Sequence, residues 1–284
     1  KYNQLLRIEE ELGDVAQSMT IHDGTAYIVV NNSGIVFGID PETFRIERVI
    51  RGIGSPRYIC FNDSVAYVTS LYEPRIAVVD VATAAVADYI ETPDHTSTEQ
   101  MAIWGDTLYV SCWSYDDAVL MVDLTSGEVA GEIGVRSQPR QIALDGDGRL
   151  WVLTDGGYGE GSSPKPPALY RIDVASGSIE REFVFRMGDT PRGLAVGAGG
   201  DTVYFLNGDV WRMDTDAEEL PREPFIPASN TIYYALGVDP RRGDIYVGDA
   251  IDYQQQGVVY RFSADGRGLD TLRVGIIPTD FCFR

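Results

Sequence analysis

Short stretches of alternating apolar and polar residues run along the whole chain, and each carries an aromatic residue at the same place. Alternation with a period of two, rich in β-branched and aromatic residues, predicts half-buried β-strands. Turns rich in Asp, Asn and Gly precede these stretches, as in residues 62–64 and 145–148. The equivalent aromatics are Tyr27, Tyr67, Tyr109, Trp151, Tyr204 and Tyr246. We interpret them as core residues between neighbouring units, because buried aromatics at equivalent sheet positions usually serve packing.

A second pattern repeats together with the first. Six times a strand-like stretch ends in an aspartate, or in one copy a serine, and the chain then turns back. The anchors are Asp40, Asp80, Asp123, Asp173, Asp214 and Ser263. They recur at intervals of about 40 to 50 residues, the period of β-propeller blades. Each unit is therefore predicted to supply a four-stranded blade, as in residues 57–61, 65–70, 76–80 and 86–90.

The two ends of the chain decide the predicted number of blades. Residues 277–283 resemble one more innermost strand, and residues near 4–9 resemble one outer strand. A propeller normally closes by pairing strands from both ends of the chain in one blade. The sequence therefore predicts an all-β, seven-bladed propeller in a single domain, 1–284, whose closing blade lacks about 30 residues. A six-bladed ring with a loose C-terminal strand is the weaker alternative.

Composition narrows the classes of partner. The net charge of −20 argues against nucleic acid, whose phosphates the chain would repel, and fits a protein that is monomeric when isolated. No apolar run reaches the roughly 18 residues of a membrane-spanning helix. Cys60, Cys112 and Cys282 contain no C-x-x-C pair, and we predict that all three are buried free thiols.

The loops predicted for the two faces of the propeller are very unequal. One face receives only short turns, and the other receives the long loops, including 112–118, 155–168 and 249–257. Insertions that collect on one face mark the usual binding face of a repeat protein. This face is rich in Tyr, Trp, Asn and Gln, which offer rigid contact area and adaptable hydrogen bonds. For any single aromatic, folding over its own loop is an equally good explanation.

Three loops on this face share a Pro-Arg pair, at Arg57, Arg140 and Arg192. Equivalent positions in a closed ring point towards one axis, so three guanidinium groups are expected around the mouth of the channel. They suit a ligand that carries phosphate or carboxylate. The alternative is that each Arg pairs with a carboxylate of a neighbouring blade, such as Glu73 or Glu99. An Arg ring argues against a divalent metal at the mouth.

Motifs of catalysis are absent from the sequence. His22 and His95 fall on opposite predicted faces, which excludes a shared metal site, and neither a G-x-S-x-G elbow nor a P-loop occurs. Residues 145–149 resemble part of a calcium loop but lack its distant Glu, so a tight turn explains them. We predict no catalytic residue, no metal and no cofactor, and we favour a binding protein over an enzyme.

Several blocks along the chain resemble a known family. They include LGDVAQSM (12–19), SPRYI (55–59), STEQM (97–101), CWSY (112–115), TDGGY (154–158) and IDYQQQG (251–257). In these blocks the chain resembles, within the YVTN/YncE-like propellers, the BtuG-type surface lipoproteins that capture vitamin B12 in gut Bacteroides. The resemblance implies a lipid-anchored protein on the outer-membrane surface that passes cobalamin to a TonB-dependent transporter. Cobalamin would then be a transported ligand and not a cofactor.

Loop position, chemistry and resemblance together give a predicted ligand site. Its residues are Asn32, Arg57, Tyr72, Trp113, Tyr115, Arg140, Tyr158, Arg192, Asp252, Tyr253, Gln254 and Gln255. Tyr and Trp would cover the apolar surface of a corrinoid, Asn and Gln would match its amides, and an Arg would meet its phosphate. The alternative is a surface propeller that binds another protein or a glycan in an outer-membrane assembly.

Overall fold

A computed structural model describes residues 12–157, 164–229 and 231–284. These residues form β-strands and turns, and every strand pairs antiparallel with a neighbour in the sequence. No helix in this part of the chain is long and apolar enough to cross a bilayer. The chain divides into two compact units, residues 1–132 together with Arg284, and residues 133–283.

The first unit contains three four-stranded sheets. Their orders are β1-β2-β3-β4, β5-β6-β7-β8 and β12-β11-β10-β9, and the boundary between the units falls within β12. The strands are β1 (Ala16–His22), β2 (Thr25–Val30), β3 (Ile35–Ile39), β4 (Ile46–Arg51), β5 (Pro56–Asn62), β6 (Val65–Ser70), β7 (Arg75–Asp80), β8 (Ala85–Glu91), β9 (Thr98–Trp104), β10 (Thr107–Cys112), β11 (Ala118–Asp123) and β12 (Glu128–Gly134).

The second unit contains two four-stranded sheets and one of three strands. Their orders are β13-β14-β15-β16, β17-β18-β19 and β20-β21-β22-β23. The strands are β13 (Pro139–Leu144), β14 (Arg149–Thr154), β15 (Ala168–Asp173), β16 (Ser178–Val184), β17 (Arg192–Val196), β18 (Thr202–Asn207), β19 (Asp209–Asp214), β20 (Tyr233–Val238), β21 (Ile245–Asp249), β22 (Gln256–Phe262) and β23 (Gly268–Ile276).

The prediction of seven blades is wrong: the described residues form six sheets. Residues 277–283, predicted as an additional inner strand, form no strand. Ile277 has a left-handed φ of 52°, which turns the chain after β23, and Pro278 has no N–H to donate to a ladder. Residues 4–9, the predicted partner strand, lie outside the described part of the chain.

Instead of pairing, the C-terminal segment packs against the last sheet. Three glycines, one on each of β20, β21 and β22, make room for it. A Cβ added to Gly237 would lie 2.6 Å from the Cβ of Phe281, and Cβ atoms at Gly248 and Gly257 would crowd Pro278. Cys282 in this segment is only half-buried, as is Cys60 on β5, so the prediction of three buried thiols is confirmed only for Cys112.

The fifth sheet has three strands and lacks an outer strand, although each unit was predicted to supply four. After β19 the chain makes only an isolated bridge, from Val210 to Ile226. Pro221 and Pro224 interrupt this segment, and a proline cannot donate to a strand ladder. The Asp spacing therefore located the unit correctly, while its fourth strand is missing.

Four of the repeated aromatics pack between adjacent sheets of one unit, as predicted: Tyr27, Tyr67, Trp151 and Tyr204. Tyr246 is only half-buried and packs against Phe281 and Phe283 of the C-terminal segment. In the first unit, Tyr27 on β2 belongs to one buried cluster with Ile59 and Val68 of the next sheet. In the second unit, Trp151 on β14 is fully buried beside Phe205 on β18. Burial of large aromatic surface between sheets is therefore a main source of stability in both units.

The anchor aspartates build the turns between the third and fourth strands. The Asp40 carboxylate accepts backbone N–H groups from Glu42 at 2.7 Å and Thr43 at 3.0 Å. Asp80, Asp123 and Asp173 repeat this pattern. A side chain that bonds the backbone two or three residues ahead stabilises a tight turn, which is the physical reason for the repeated residue.

Candidate ligand-binding site

The second unit contains a cavity of about 370 Å³ where loops after the outer strands meet residues 155–157 and 164–167, the described ends of the long loop. Its lining includes Arg140, Lys165 and Arg192, together with the carboxylates Asp155 and Asp189. Two of the three predicted Pro-Arg pairs therefore lie at one cavity. In a chain of net charge −20, three cationic side chains around one opening are a local concentration of positive charge, which favours anions over cations.

Arg192 is positioned by contacts of its neighbouring residues with β18 of the same sheet and with β20 of the next sheet. The Thr190 N–H donates to the Asn207 side chain at 3.2 Å, which fixes the loop before β17. Gly193 follows with a φ of 67°, and a Cβ there would lie 2.9 Å from the Cβ of Leu236. The close approach permitted by this glycine places Arg192 at the cavity and not in the core.

Lys165 reaches the cavity because the two ends of the long loop pair with each other. The Lys165 N–H donates to the Gly156 carbonyl at 2.8 Å. Gly156 has a φ of 82°, and a Cβ there would collide with the Lys165 carbonyl oxygen. On the other side, the N–H groups of Asp155 and Gly156 donate to the loop that precedes Arg140. The two segments therefore form one wall.

The two carboxylates in the lining also serve their own loops. Asp155 accepts the Gly157 N–H at 3.0 Å, and Asp189 accepts the Arg186 N–H at 2.9 Å. Each carboxylate thus accepts a hydrogen bond that stabilises a turn in its own loop. The cavity retains an excess of positive side chains, which favours ligands that carry phosphate or carboxylate.

Aromatic rings extend from the cavity towards the loop 249–257. The guanidinium carbon of Arg192 lies 5.3 Å from the centre of the Tyr234 ring, a cation–π contact. Tyr234 in turn meets Tyr253 edge to face, with ring centres 5.7 Å apart. Two predicted residues, Arg192 and Tyr253, are therefore joined through a tyrosine that the prediction did not include.

Asp252 organises the loop that carries Tyr253. Its carboxylate accepts the N–H groups of Gln254 and Gln255 and the side-chain amide of Gln255. The Gln255 side chain and these backbone donors lower the pKa of Asp252 below its ordinary value. Asp252 and Gln255 thus shape the loop, while Tyr253 and Gln254 are exposed. Tyr253 has a left-handed φ of 64°, a backbone strain that often accompanies function.

In the first unit, Arg57 forms a buried ion pair. Its guanidinium donates to both Glu99 oxygens at 2.6 Å and to Gln17 at 2.8 Å, and Arg57 and Glu99 are 7% and 0% exposed. Of the two sequence-based alternatives for Arg57, the structure contains the pair with Glu99. A bidentate ion pair between β5 and β9 holds these two adjacent sheets in a defined orientation. The prediction that Arg57 meets a ligand stays a prediction.

Predicted aromatics of the first unit surround this ion pair or lie exposed in loops. The guanidinium carbon of Arg57 lies 5.5 Å from the centre of the Trp113 ring. Tyr72 and Tyr115 are 73% and 68% exposed, and both have left-handed φ values, of 79° and 64°. Large exposed rings on strained backbone are unusual, and they favour a role in binding. Asn32 donates instead to the Asp14 carboxylate at 3.0 Å.

Some site residues were not predicted, and one lies outside the described residues. Tyr158 falls in the undescribed part of the long loop, so its place in the site stays a prediction. Lys165, Asp155, Asp189 and Tyr234 line or flank the site without having been predicted. The only available signal was their position beside predicted loops, because neither their spacing nor their residue type is distinctive.

Comparison with known proteins gives the family. The family model described as "Domain of unknown function (DUF5074)" matches residues 6–274. The chain belongs to this family. No curated protein matches the chain. The family description carries no activity, so it leaves the function of the site open.

Solved structures show the same fold at low identity. Hydrazine synthase of Kuenenia stuttgartiensis is 16% identical, with a TM-score of 0.73 over 97% of this chain and 92% of that one. Virginiamycin B lyase of Staphylococcus aureus is 15% identical, with a TM-score of 0.73 over 94% and 88%. A quinonprotein alcohol dehydrogenase-like protein of Bacteroides thetaiotaomicron is 16% identical, with a TM-score of 0.69 over 94% and 68%.

These similarities establish an all-β propeller fold with four-stranded blades. Two of the similar proteins are enzymes by name, so the fold does not separate a binding protein from an enzyme. At such low identity a shared fold carries no function, since function depends on the residues of the site. The function must therefore be inferred from the cavity and its loops.

Proposed function

We propose that this protein captures cobalamin, or another corrinoid, without catalysis, and that the phosphate-bearing arm of the ligand enters the cavity lined by Arg140, Lys165 and Arg192. The observation that carries the proposal is the grouping of these three cations at one opening. A phosphate diester offers two charged oxygens to such a group, and charge-assisted hydrogen bonds are the strong ones.

The size of the cavity agrees with partial insertion of the ligand. At about 370 Å³ it lies near the lower end of the range of small-molecule sites, about 300–1,000 Å³. A corrinoid exceeds that volume, so its nucleotide arm would enter while the corrin disc lies on the surface outside. Tyr234 and Tyr253 flank Arg192 on that surface, where rings cover apolar area at small entropic cost.

The resemblance to BtuG-type lipoproteins supports the choice of ligand and suggests the setting. Two blocks that carry it are TDGGY (154–158) and IDYQQQG (251–257). Asp155 and Gly157 of the first block line the cavity, and the second block is the loop of Tyr253. In this proposal the protein is lipid-anchored at the outer-membrane surface and hands cobalamin to a TonB-dependent transporter. The exposed loops would then serve both the ligand and the partner.

The test compares two corrinoids by calorimetry. Cyanocobalamin carries the phosphate-linked nucleotide, and dicyanocobinamide lacks it. We expect the double variant Arg140→Ala, Arg192→Ala to lose at least about tenfold in affinity for cyanocobalamin, because each lost bond to a charged group costs about 1.5–3 kcal/mol. The affinity for dicyanocobinamide should change little.

Arg267→Ala is the matched control. Arg267 is an exposed arginine in the turn between β22 and β23, where it pairs with Asp265 at 2.9 Å. Its removal takes away one positive charge, half of what the double variant removes, far from the cavity loops in sequence, and should leave both affinities unchanged. Failure of the wild-type protein to bind any corrinoid contradicts the proposal. An equal loss for both corrinoids in the double variant contradicts the phosphate assignment.

A further inference from the structure

A second cluster of chemically capable side chains lies in the first unit, and none of them belongs to the proposed corrinoid cavity. His95 lies in the loop between β8 and β9, Cys112 ends β10, and Asp116 lies in the loop between β10 and β11. One potential ligand atom from each of the three residues lies within 4.8 Å of the others. Nitrogen, sulfur and oxygen donors thus converge on one point.

The backbone holds this cluster in place from both loops. His95 accepts a hydrogen bond from the Thr92 hydroxyl at its carbonyl, and its N–H donates to the Thr92 carbonyl, at 2.8 and 2.9 Å. The Trp113 N–H donates to the Ser97 carbonyl at 2.7 Å, which ties the two loops together. Because these hydrogen bonds fix both loops, little ordering is needed to bind an ion.

The two oxygens of the Asp116 carboxylate have different partners. Its Oδ1 accepts the N–H groups of Asp117 and Ala118, at 2.8 and 3.2 Å, and so builds the turn. Its Oδ2 faces His95 Nδ1 at 2.8 Å. The turn therefore aims one carboxylate oxygen at the imidazole, in the direction of the thiol.

The other ring nitrogen of His95 has its own carboxylate. His95 Nε2 lies 3.4 Å from Glu132 on β12. A histidine that ligates a metal through one nitrogen commonly donates its other N–H to a carboxylate, which fixes the tautomer and makes the ligand more basic. This second contact is independent of the three converging donors. It also indicates that Nδ1 is the nitrogen available to bind a metal.

We propose that His95 Nδ1, Cys112 Sγ and Asp116 Oδ2 bind a zinc ion, with Glu132 orienting the histidine. Mixed N, S and O donors suit Zn²⁺, whereas Ca²⁺ and Mg²⁺ take oxygen ligands. Cys112 ligates as the thiolate, so its proton leaves to solvent when the Zn–S bond forms. The proton that His95 Nδ1 donates to Asp116 Oδ2 moves to Nε2, which faces Glu132, so that Nδ1 can bind the ion. Three protein ligands leave a fourth tetrahedral position for water.

The burial of the three side chains suits such an ion. Cys112 is fully buried, whereas the His95 and Asp116 side chains are 16% and 14% exposed. The ion would enter from the solvent side and meet the thiolate at the bottom of the site. It would join the loop 92–97 to the loop 112–118, which carries Trp113 and Tyr115. The bound ion would then make these aromatics more rigid.

The experiment uses the purified full chain, stripped of metal with a chelator. Zn²⁺ is titrated by calorimetry, and Co²⁺ serves as a spectroscopic probe, because a thiolate ligand gives a charge-transfer band in the near ultraviolet. We expect one ion per chain and a thiolate band with Co²⁺. Cys112→Ser should abolish the band, and His95→Gln and Asp116→Asn should each weaken Zn²⁺ binding at least about tenfold.

Two matched controls exist in the same unit. Cys60→Ser removes another free thiol, and His22→Gln removes the other histidine, which stacks on Phe61. Both should bind Zn²⁺ as the wild type does. Glu132→Gln should weaken binding about tenfold while keeping the Co²⁺ band, because Glu132 acts through His95.

Three results would overturn the proposal. The first is wild-type protein that binds no stoichiometric Zn²⁺. The second is a Co²⁺ complex without a thiolate band. The third is an Asp116→Asn protein that binds Zn²⁺ as tightly as the wild type. If Cys112→Ser fails to fold, the Asp116→Asn variant still tests the proposal. The amide oxygen of its Asn accepts the same backbone N–H groups as the Asp116 carboxylate, so the turn is kept.

Discussion

The turn aspartates show how one residue type is used repeatedly in this chain. The pKa values of Asp40, Asp80, Asp123 and Asp173 are lowered from the ordinary value of 3.8. At Asp40 and Asp123 the largest cause of the lowered pKa is hydrogen bonding from backbone N–H groups. At Asp80 and Asp173 the largest cause is a hydrogen bond from the hydroxyl of Thr83 or Ser176. Hydrogen bonds to the charged form favour it, so each folded turn prefers the carboxylate.

These shifts predict that acid weakens the fold. A carboxylate whose folded pKa lies below its unfolded pKa contributes stability above the unfolded value. That contribution is lost as the pH falls through the folded value. We expect the urea concentration at the midpoint of unfolding to decrease as the pH is lowered from about 5 to about 2. An Asp123→Asn variant, which keeps the oxygen acceptor but does not titrate there, should show a smaller fall.

The control for this prediction is Asp106→Asn. Asp106 is an exposed carboxylate in the turn between β9 and β10, and it is not one of the anchor residues. Its substitution should leave the acid dependence as in the wild type. A flat midpoint across this range in the wild-type protein would contradict the role assigned to the turn carboxylates.

Among the elements, β14 illustrates how sheets hold to their neighbours. Trp151 on β14 is fully buried against Phe183 and Phe205, and its indole N–H donates to the Asp145 carboxylate at 2.9 Å. That carboxylate also accepts the N–H groups of Asp147 and Arg149. One aspartate thus connects the turn before β14 to the core behind it, which confirms that residues 145–149 form a tight turn.

Trp151→Ala should destabilise the protein by about 3–5 kcal/mol, because it removes a large buried ring and leaves a cavity. Urea unfolding measures this difference. Val129→Ala on β12 is the control: Val129 is exposed, and surface changes of this kind usually stay within about 0.5 kcal/mol. If Trp151→Ala lowers the free energy of unfolding as little as the control does, the space between the sheets is not a tightly packed core.

At the scale of the whole molecule, the net charge of −20 opposes compaction through self-repulsion. Added salt screens this repulsion, since the Debye length falls from about 30 Å at 0.01 M to about 10 Å at 0.1 M. We therefore expect the melting temperature to rise by a few degrees over this range, measured by differential scanning fluorimetry. Chloride and sulfate should act alike at equal ionic strength, which separates screening from salting-out. An unchanged melting temperature would contradict this expectation.

The sequence by itself determined the repeating architecture. Alternation with a period of two, the aromatic of each second strand and the anchor aspartates are local signals, so they located strands, turns and units correctly. They also indicated which loops carry the unusual residues. The number of blades and the fourth strand of the fifth sheet were predicted wrongly. In those places the repeat predicted a strand. Pairing is prevented by Ile277 and Pro278 in the first case and by Pro221 and Pro224 in the second.

Only the tertiary structure decided which side chains meet. The sequence allowed Arg57 to meet a ligand or to pair with a carboxylate such as Glu73 or Glu99. Only the fold shows that Arg57 pairs with Glu99, which lies far along the chain. The cavity brings together Arg140 at the start of β13, Lys165 in the long loop and Arg192 at the start of β17. Their convergence depends on how these segments pack. His95, Cys112 and Asp116 likewise carry no motif spacing. Contacts between distant segments depend on packing in three dimensions, and a one-dimensional pattern records only the residues near each position.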